Sequence, residues 1–278
     1  MRERIASEVL MSLFSGKWRV IKASFVLSIH DIFTTVRPSI WIIQLIVPSL
    51  FAMFFFSMMA TWAGADPEFV IIGNAVQSIG ITTIYAVAGI PGTQKHIGTM
   101  TSLAVTPSSL FSIFFGMSIF GIIAGFMSIA ISLTAAAFIF GVNMASINLL
   151  SAVIVIILTA FSVGGISMTI SSVGIYLRTS AIIANIAAYI GLVLCGVNFP
   201  VSDLPGWAQT IAHCHPLTYA VEATRGAVDG NGIMDMASSW SDPIPMMIIL
   251  GVIFIIVSLL TFGFFEKLSR NSSKMDTF

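Results

Sequence analysis

The chain has 278 residues, of which 57% are hydrophobic and 9% are charged, whereas soluble domains carry about 25% charged residues. Twelve basic and twelve acidic side chains give a formal net charge of zero. A soluble globular fold is excluded at this composition, because too few polar side chains remain to cover a surface in water.

The first 37 residues predict a cytoplasmic amphipathic helix ahead of the first membrane span. Apolar residues recur every three or four positions on one helix face, namely Trp18, Ile21, Phe25, Ile29, Ile32 and Val36. Arg37 precedes Pro38, where α geometry is disfavoured, so the helix is expected to end there. We expect it to lie at the inner membrane boundary and relay movement, with a passive anchor or a stripe against a soluble partner as alternatives.

Six apolar stretches follow, each without an Asp, Glu, Lys or Arg residue. They cover residues 39–62, 69–90, 110–140, 149–177, 181–199 and 244–265. A helix of about 20 apolar residues crosses a bilayer, so the predicted fold class is an all-α membrane protein with six transmembrane helices. We expect a permease domain over 38–266 and a cytoplasmic tail over 267–278. Early charges interrupt any leader-like run, so no cleaved signal peptide is expected.

Basic residues concentrate on one side of the membrane if every stretch crosses. The segments before the first span and after the second, fourth and sixth spans hold eleven of the twelve basic residues. The other side has Arg225 together with seven acidic residues. The positive-inside rule therefore predicts that both termini lie in the cytoplasm. We expect a multi-pass protein of the plasma membrane.

The spans contain amides and hydroxyls instead of charged groups. These polar residues are Gln44, Asn74, Gln77, Thr82, Thr83, Tyr85, Asn185 and Asn198. Ion-coupled carriers usually place ionisable groups inside the membrane, so this pattern disfavours one. We expect hydrogen bonds between helices here, with contact to a transported molecule as the alternative. The sequence has no phosphate-binding Gly-x-x-x-x-Gly-Lys-Ser/Thr loop, so ATP hydrolysis by that route is expected only in a partner.

Two loops carry specific patterns. In the loop 92–107, a short helix is predicted over Lys95–Ala104, ending at Thr106-Pro107. In the segment 200–230, His215-Pro216 separates two helices that are each too short to cross, which predicts a re-entrant or interfacial hairpin.

The faces of these two short helices are also predicted. The first helix places Leu204, Trp207 and Ile211 on one face. The second places Leu217, Val221, Thr224 and Val228 on one face. Glu222, Arg225 and Asp229 lie opposite at a spacing that allows ion pairs.

The run His213-Cys214-His215 raises the question of a metal site. Adjacent residues rarely supply tetrahedral ligands together, so local capping or packing is expected and no metal.

The two loops resemble those of the type-2 ABC-transporter permease family. The inner loop matches at Gly98, Thr99, Met100, Leu103, Thr106 and Pro107, with Lys95 and His96 where the family usually has an Arg/Glu-rich pair. The outer segment matches at Phe199, Pro200, Leu204, Pro205, Trp207, Pro216, Leu217, Thr218, Tyr219 and Arg225. His215 stands where the family more often has asparagine.

This resemblance implies a function and a set of partners. The inner loop, including Lys95 and His96, would couple the chain to cytoplasmic P-loop ATPase subunits, which bind ATP and Mg, while this chain binds no cofactor. The outer hairpin would shape the exit, and a second copy or a paralogue would complete a dimer in contact with membrane lipids. Nucleic acid is not expected as a partner.

The expected activity is the permease subunit of an ATP-driven exporter for an amphipathic drug or antibiotic, or for a lipid-linked substrate. The near alternative is export of lipo-oligosaccharide, polysaccharide or teichoic-acid-type glycan. The alternatives from other classes are a passive channel and a non-transporting membrane sensor or resistance protein.

Overall fold

The computed structural model describes residues 2–106, 108–176 and 180–271. In these ranges every regular element is helical. They are α1 (Arg2–Thr35), α2 (Pro38–Trp62), α3 (Pro67–Ala88), α4 (Ile90–His96), α5 (Met100–Val105), α6 (Leu110–Phe138), α7 (Leu149–Tyr176), α8 (Ser180–Leu194), a 3₁₀ turn (Val201–Asp203), α9 (Gly206–Cys214), α10 (Pro216–Val228) and α11 (Pro243–Asn271).

Helix starts follow local sequence signals. Both α2 and α3 open on a proline, whose missing N–H costs little in a first turn. Asp66 caps α3, since its side chain accepts a hydrogen bond of 2.9 Å from the backbone N–H of Glu68. The predicted break at Arg37 is confirmed, because Arg37 is extended between α1 and α2.

Among the described helices, five are long and apolar enough to cross a membrane. They are Pro38–Trp62, Pro67–His96, Leu110–Phe138, Leu149–Tyr176 and Pro243–Leu268. They coincide with predicted spans one, two, three, four and six.

The predicted span 181–199 is a shorter helix than expected. Helix α8 has 15 residues and is about 22 Å long, less than the roughly 30 Å of a bilayer core. Its apolar run continues to residue 199, but Gly196 adopts a left-handed φ of 74° and turns the chain out of the helix. The expectation of helix over 195–199 was therefore wrong.

The core of the bundle forms where α3 packs along α6 and α7, while α11 packs along α7. Gly121 and Gly125 on α6 face α3 so closely that an added Cβ would collide with Ala86 and with Thr83. Small residues at this spacing let two helix backbones approach.

Helix α2 lies at the edge of this core. Its buried residues form one stripe, Leu45, Ser49, Met53, Ser57 and Ala60, at intervals of four and three. The remaining faces of α2 expose large apolar side chains such as Phe51, Phe54 and Met58.

Helix α1 packs against α6 through a contact that periodicity does not predict. Ser24 is buried against Gly116, and a Cβ at Gly116 would lie 2.8 Å from the Cβ of Ser24. Trp18, placed on the predicted apolar face, is mostly exposed. Contact at this crossing therefore depends on a small residue in each helix.

Candidate functional site: a polar loop, a buried hairpin and an intramembrane cleft

The loop after α3 consists of two short helices, α4 and α5, so the predicted single helix over Lys95–Ala104 was wrong. Gly98 separates them with a φ of 78°, which a residue with a side chain rarely adopts. The N–H of Thr99 then donates to the carbonyl of Gln94 at 3.0 Å and closes the turn. Thr106 is extended after α5, as expected before a proline. The predicted site residue Pro107 lies outside the described residues.

Two predicted coupling residues point into the protein. Lys95 is only 7% exposed, and its Nζ donates a 3.0 Å hydrogen bond to the carbonyl of Gly174 near the end of α7. A cation is favourable at the C-terminal end of a helix, where carbonyls point outward. Met100 is buried in a cluster with Leu110 and Phe114. These side chains hold the loop to the bundle.

The opposite face of the loop is exposed and partly apolar. His96, Gly98 and Ser102 lie on it, together with Ile97 at 52% exposure and Val105 at 84% exposure. Sequence reasoning did not single out Ile97 or Val105. The available signal was the presence of apolar residues in a short polar loop. An exposed apolar patch rimmed by polar groups is typical of a protein contact surface.

Gln94 connects this loop to α1. Its Nε2 donates to Oδ2 of Asp31 at 3.1 Å, and its Oε1 accepts a hydrogen bond from the hydroxyl of Thr99. Gln94 itself is buried. The amide thus joins α1, α4 and the turn before α5. No sequence pattern indicated Gln94 or Asp31 in this role.

The two short helices predicted on either side of His215-Pro216 are present as α9 and α10. The buried face of α10 comprises Leu217, Val221, Thr224 and Val228, as predicted. On α9, by contrast, Trp207 and Ile211 are exposed.

His215 caps α10. Its Nδ1 accepts a 3.2 Å hydrogen bond from the N–H of Leu217, so the ring proton resides on Nε2 in the neutral form. This is the role an asparagine oxygen plays at a helix start, which explains why histidine serves at this position. Complete burial lowers the pKa of His215 to about 4. The predicted capping role is confirmed.

Arg225 ties three segments together through backbone carbonyls. Its Nη1 donates to Gly196 at 2.9 Å, and its Nη2 donates to Phe69 at 2.8 Å and to Val197 at 3.2 Å. The guanidinium also lies over the Phe69 ring, 3.4 Å from its centroid. We call this set of contacts the Arg225 clasp.

Burial lowers the pKa of Arg225 to about 10, while Asp229, Asp66 and Glu222 oppose that shift. The predicted ion pairs of Arg225 with Glu222 and Asp229 give way to these carbonyl contacts, because the segment 195–197 lacks helical hydrogen bonds and needs donors.

The remaining predicted hairpin residues divide into two groups. Phe199, Pro200, Pro205 and Trp207 are exposed and Leu204 is half-buried. Pro216, Leu217, Thr218 and Tyr219 are buried, and the Thr218 hydroxyl donates to the carbonyl of Ala212. The first group forms a surface, and the second holds α9 and α10 together.

Five of the intramembrane polar residues converge on one cavity, which we call the cleft. It has a volume of about 470 Å³ and lies between α2, α3, α6 and α8. Its polar lining includes Gln44, Asn74, Gln77, Thr82 and Tyr85. The predicted interhelical hydrogen bonds are confirmed from Gln77 to the Ala188 carbonyl and from Tyr85 to Asn185, while Asn74 bonds to Asn198 in the segment after α8. Sequence alone did not show that these residues share a cavity.

These helices and loops define a multi-pass α-helical membrane protein. The sequence model of the ABC-2 type transporter family matches residues 18–228, about three quarters of the chain. The chain belongs to this family and is an ABC transporter permease subunit, as the resemblance of its two loops predicted. Permeases of this family work with cytoplasmic ATPase subunits. A search of curated proteins found no significant match.

Proposed function

We propose that the chain is the membrane half of an ATP-driven exporter in the plasma membrane. Residues 1–37 and 267–278 lie in the cytoplasm, and residues 38–266 form the permease. Helix α8 is the short fifth crossing, and the α9–α10 hairpin re-enters the membrane from the outside. The distribution of eleven of twelve basic residues supports this orientation.

The single observation that carries the proposal is the two-sided construction of the loop 92–107. Its inward side chains reach two other helices, through Gln94 to α1 and through Lys95 to α7. Its outward face leaves Ile97 and Val105 exposed. A partner that binds the outward face is therefore connected through this loop to α1, α3 and α7.

Export is driven by ATP through the contact between this loop and the ATPase. ATP must stabilise one arrangement of the ATPase pair more than the other, or no movement results. Closure of the pair presses on the Ile97–Val105 face, and α3 transmits the displacement towards the outer end. There the Arg225 clasp fixes the first turn of α3, so the helix pivots instead of translating.

The partners follow from the same arrangement. Two ATPase subunits hold ATP and Mg, and a second permease copy or a paralogue packs on apolar faces such as that of α2, with lipid covering the rest. The substrate is an amphipathic drug, antibiotic or lipid-linked molecule, with a glycan carried on a lipid as the near alternative.

The test is reconstitution of the chain with its ATPase in proteoliposomes, with ATP hydrolysis and directional flux measured on one preparation. Substrate-stimulated hydrolysis with ATP-dependent flux supports the proposal. An ATPase whose P-loop lysine is replaced serves as the matched control and abolishes flux. Flux through the chain alone, unaffected by ATP, overturns export in favour of a passive channel. Substrate binding without any flux overturns it in favour of a sensor.

A further inference from the structure

The cleft has one polar wall and one apolar wall. From α3 it receives Asn74, Gln77, Ser78, Thr82 and Tyr85, at the three- and four-residue spacing of a single helix face. From α2 it receives mainly Trp41, Leu45, Pro48, Ala52 and Phe56. The volume of about 470 Å³ falls within the range of small-molecule sites. Such a cavity suits a molecule that is itself polar along one side.

Neighbouring hydrogen bonds fix the walls in place. The hydroxyls of Ser49 on α2 and Ser78 on α3 both bond to the hydroxyl of Ser132 on α6. At the outer end, Asn74 Nδ2 donates to Asn198 Oδ1 at 2.8 Å, and Asn198 Nδ2 donates to the carbonyl of Leu192 on α8. The cleft is therefore largely pre-formed, which lowers the ordering cost of binding.

The two amides on the polar wall are committed to contacts within the protein. Asn74 Nδ2 and Gln77 Nε2 donate to carbonyl oxygens, which fixes the orientation of both amides. Within the described chain, Asn74 Oδ1 and Gln77 Oε1 are buried without a donor. Because both oxygens are sealed by packing, the hydrogen-bonding groups left to an occupant of the cleft are the accessible side chains of Gln44, Thr82 and Tyr85.

Charge is missing from the described lining of the cleft, which holds neither a carboxylate nor a basic side chain. An organic cation that leaves water for this site would lose its hydration without gaining an ion pair, which disfavours its binding. A neutral polyol or amide loses less and gains hydrogen bonds.

We propose that the cleft binds one amphipathic molecule whose polar part is uncharged and rich in hydroxyl or amide groups. That part lies on α3, the hydrocarbon or aromatic part lies on α2, and an organic cation of equal size is rejected. That this occupant is the exported molecule rests on the proposed function, whereas its binding does not.

The test uses two probes with the same alkyl chain, decyl maltoside and decyltrimethylammonium. The full chain in lipid nanodiscs is labelled with a photoreactive decyl maltoside, and labelled peptides are located by mass spectrometry. We expect labelling on α2 and α3 and competition by unlabelled decyl maltoside about tenfold stronger than by the ammonium compound. Equal or stronger competition by the cation overturns the proposal. Absence of labelling on both helices also overturns it, because lipid or a second copy then fills the cleft.

Variants sharpen this result. Thr82→Val keeps the side-chain shape but removes a hydroxyl from the polar wall, so the affinity for decyl maltoside should fall about fivefold. Thr134→Val, the same change on α6 outside the cleft lining, is the matched control and should leave the affinity unchanged. Equal effects of the two variants contradict the assignment of the site.

Gln44→Glu tests the charge argument from the other direction. A carboxylate in the cleft supplies the missing ion pair, so competition by decyltrimethylammonium should strengthen about tenfold. No change on Gln44→Glu overturns the charge argument. Because these measurements need no ATPase, selective binding without ATP-dependent flux would preserve the site and reject export.

Discussion

The first turn of α3 and the loop beyond its far end are held in different ways. At the first turn, the carbonyl of Phe69 belongs to the Arg225 clasp, and α10 beside it is buried over most of its length. At the far end, Gln94, Lys95 and Met100 anchor the loop, while Ile97 and Val105 remain exposed. The first region is built to stay fixed, and the second is built to be contacted from outside.

This difference gives α3 and α4 a mechanical role. Together they span Pro67–His96, which is 30 residues and about 45 Å of helix. A rod fixed at one end and pressed at the other pivots about the fixed end. We therefore expect substitutions at the fixed end to reduce stability and substitutions at the exposed loop face to change coupling.

The largest effect is expected at the fixed end. Arg225→Ala removes the donors to three backbone carbonyls in a buried region, and we expect a stability loss of about 3–5 kcal/mol. Thermal unfolding of the detergent-solubilised chain, followed by size-exclusion chromatography, measures it. Arg225→Lys keeps the charge but not the forked geometry and should lie in between. If Arg225→Ala melts at the same temperature as the unchanged chain, the Arg225 clasp does not stabilise the fold.

The second prediction concerns pH. The pKa of His215 is about 4 in the folded chain and about 6.5 when unfolded, so between these values only the unfolded chain binds the proton. Above about pH 6.5 the neutral ring of His215 makes its full contribution to the free energy of unfolding. As the pH falls towards 4, the free energy of unfolding decreases by about 3 kcal/mol. Melting temperatures measured from pH 7.5 to pH 4 show this slope.

His215→Asn is the control for that slope. Asparagine retains the cap but does not titrate, so the variant should lose this part of the pH dependence and keep its stability near neutral pH. An unchanged slope would mean that another group is responsible.

A smaller effect is expected where the loop meets α1. Gln94→Leu removes the link between Asp31 and Thr99 and should cost about 1–2 kcal/mol. In the reconstituted complex, ATP hydrolysis should continue while flux per ATP falls. Thr93→Val, on the neighbouring exposed position, removes a hydroxyl bonded only to the Gly89 carbonyl and is the matched control. Parallel loss of hydrolysis and flux in Gln94→Leu would show that Gln94 does not transmit movement.

The smallest effect on stability, below about 0.5 kcal/mol, is expected at the exposed loop face. Val105→Asp should melt like the unchanged chain yet fail to copurify with the ATPase. Met234→Asp makes the same change at a similarly exposed position, 83% against 84%, in the segment between α10 and α11. The Met234→Asp variant should still copurify with the ATPase. Equal loss of copurification in both variants would show that the loop face is not a specific contact surface for the ATPase.

Sequence predicted the elements well wherever composition alone determines them. Five of six spans, the helix break at Arg37 and the two helices around His215-Pro216 follow from apolar length, period and proline. The end of α8 and the division of the loop 92–107 into α4 and α5 do not, because they depend on left-handed backbone at Gly196 and Gly98. A glycine in sequence permits that conformation without requiring it.

The candidate sites were predicted less well than the elements, for a related reason. Motif position indicated two loops, but the direction of each side chain depends on tertiary contacts. Lys95 turns inward because α7 ends beside it, and Gln94 acts only because Asp31 lies opposite. The cleft combines residues from four helices, and no local pattern encodes that combination.

The most direct test of the central claim is the side of the membrane on which the loop 92–107 lies. Val105→Cys in a Cys214→Ser background should not react with a membrane-impermeant maleimide in intact cells. It should react in inside-out vesicles, where added ATPase should protect it. Met234→Cys in the same background, at an exposed position between α10 and α11, should show the opposite pattern. Labelling of Val105→Cys in intact cells would contradict the account.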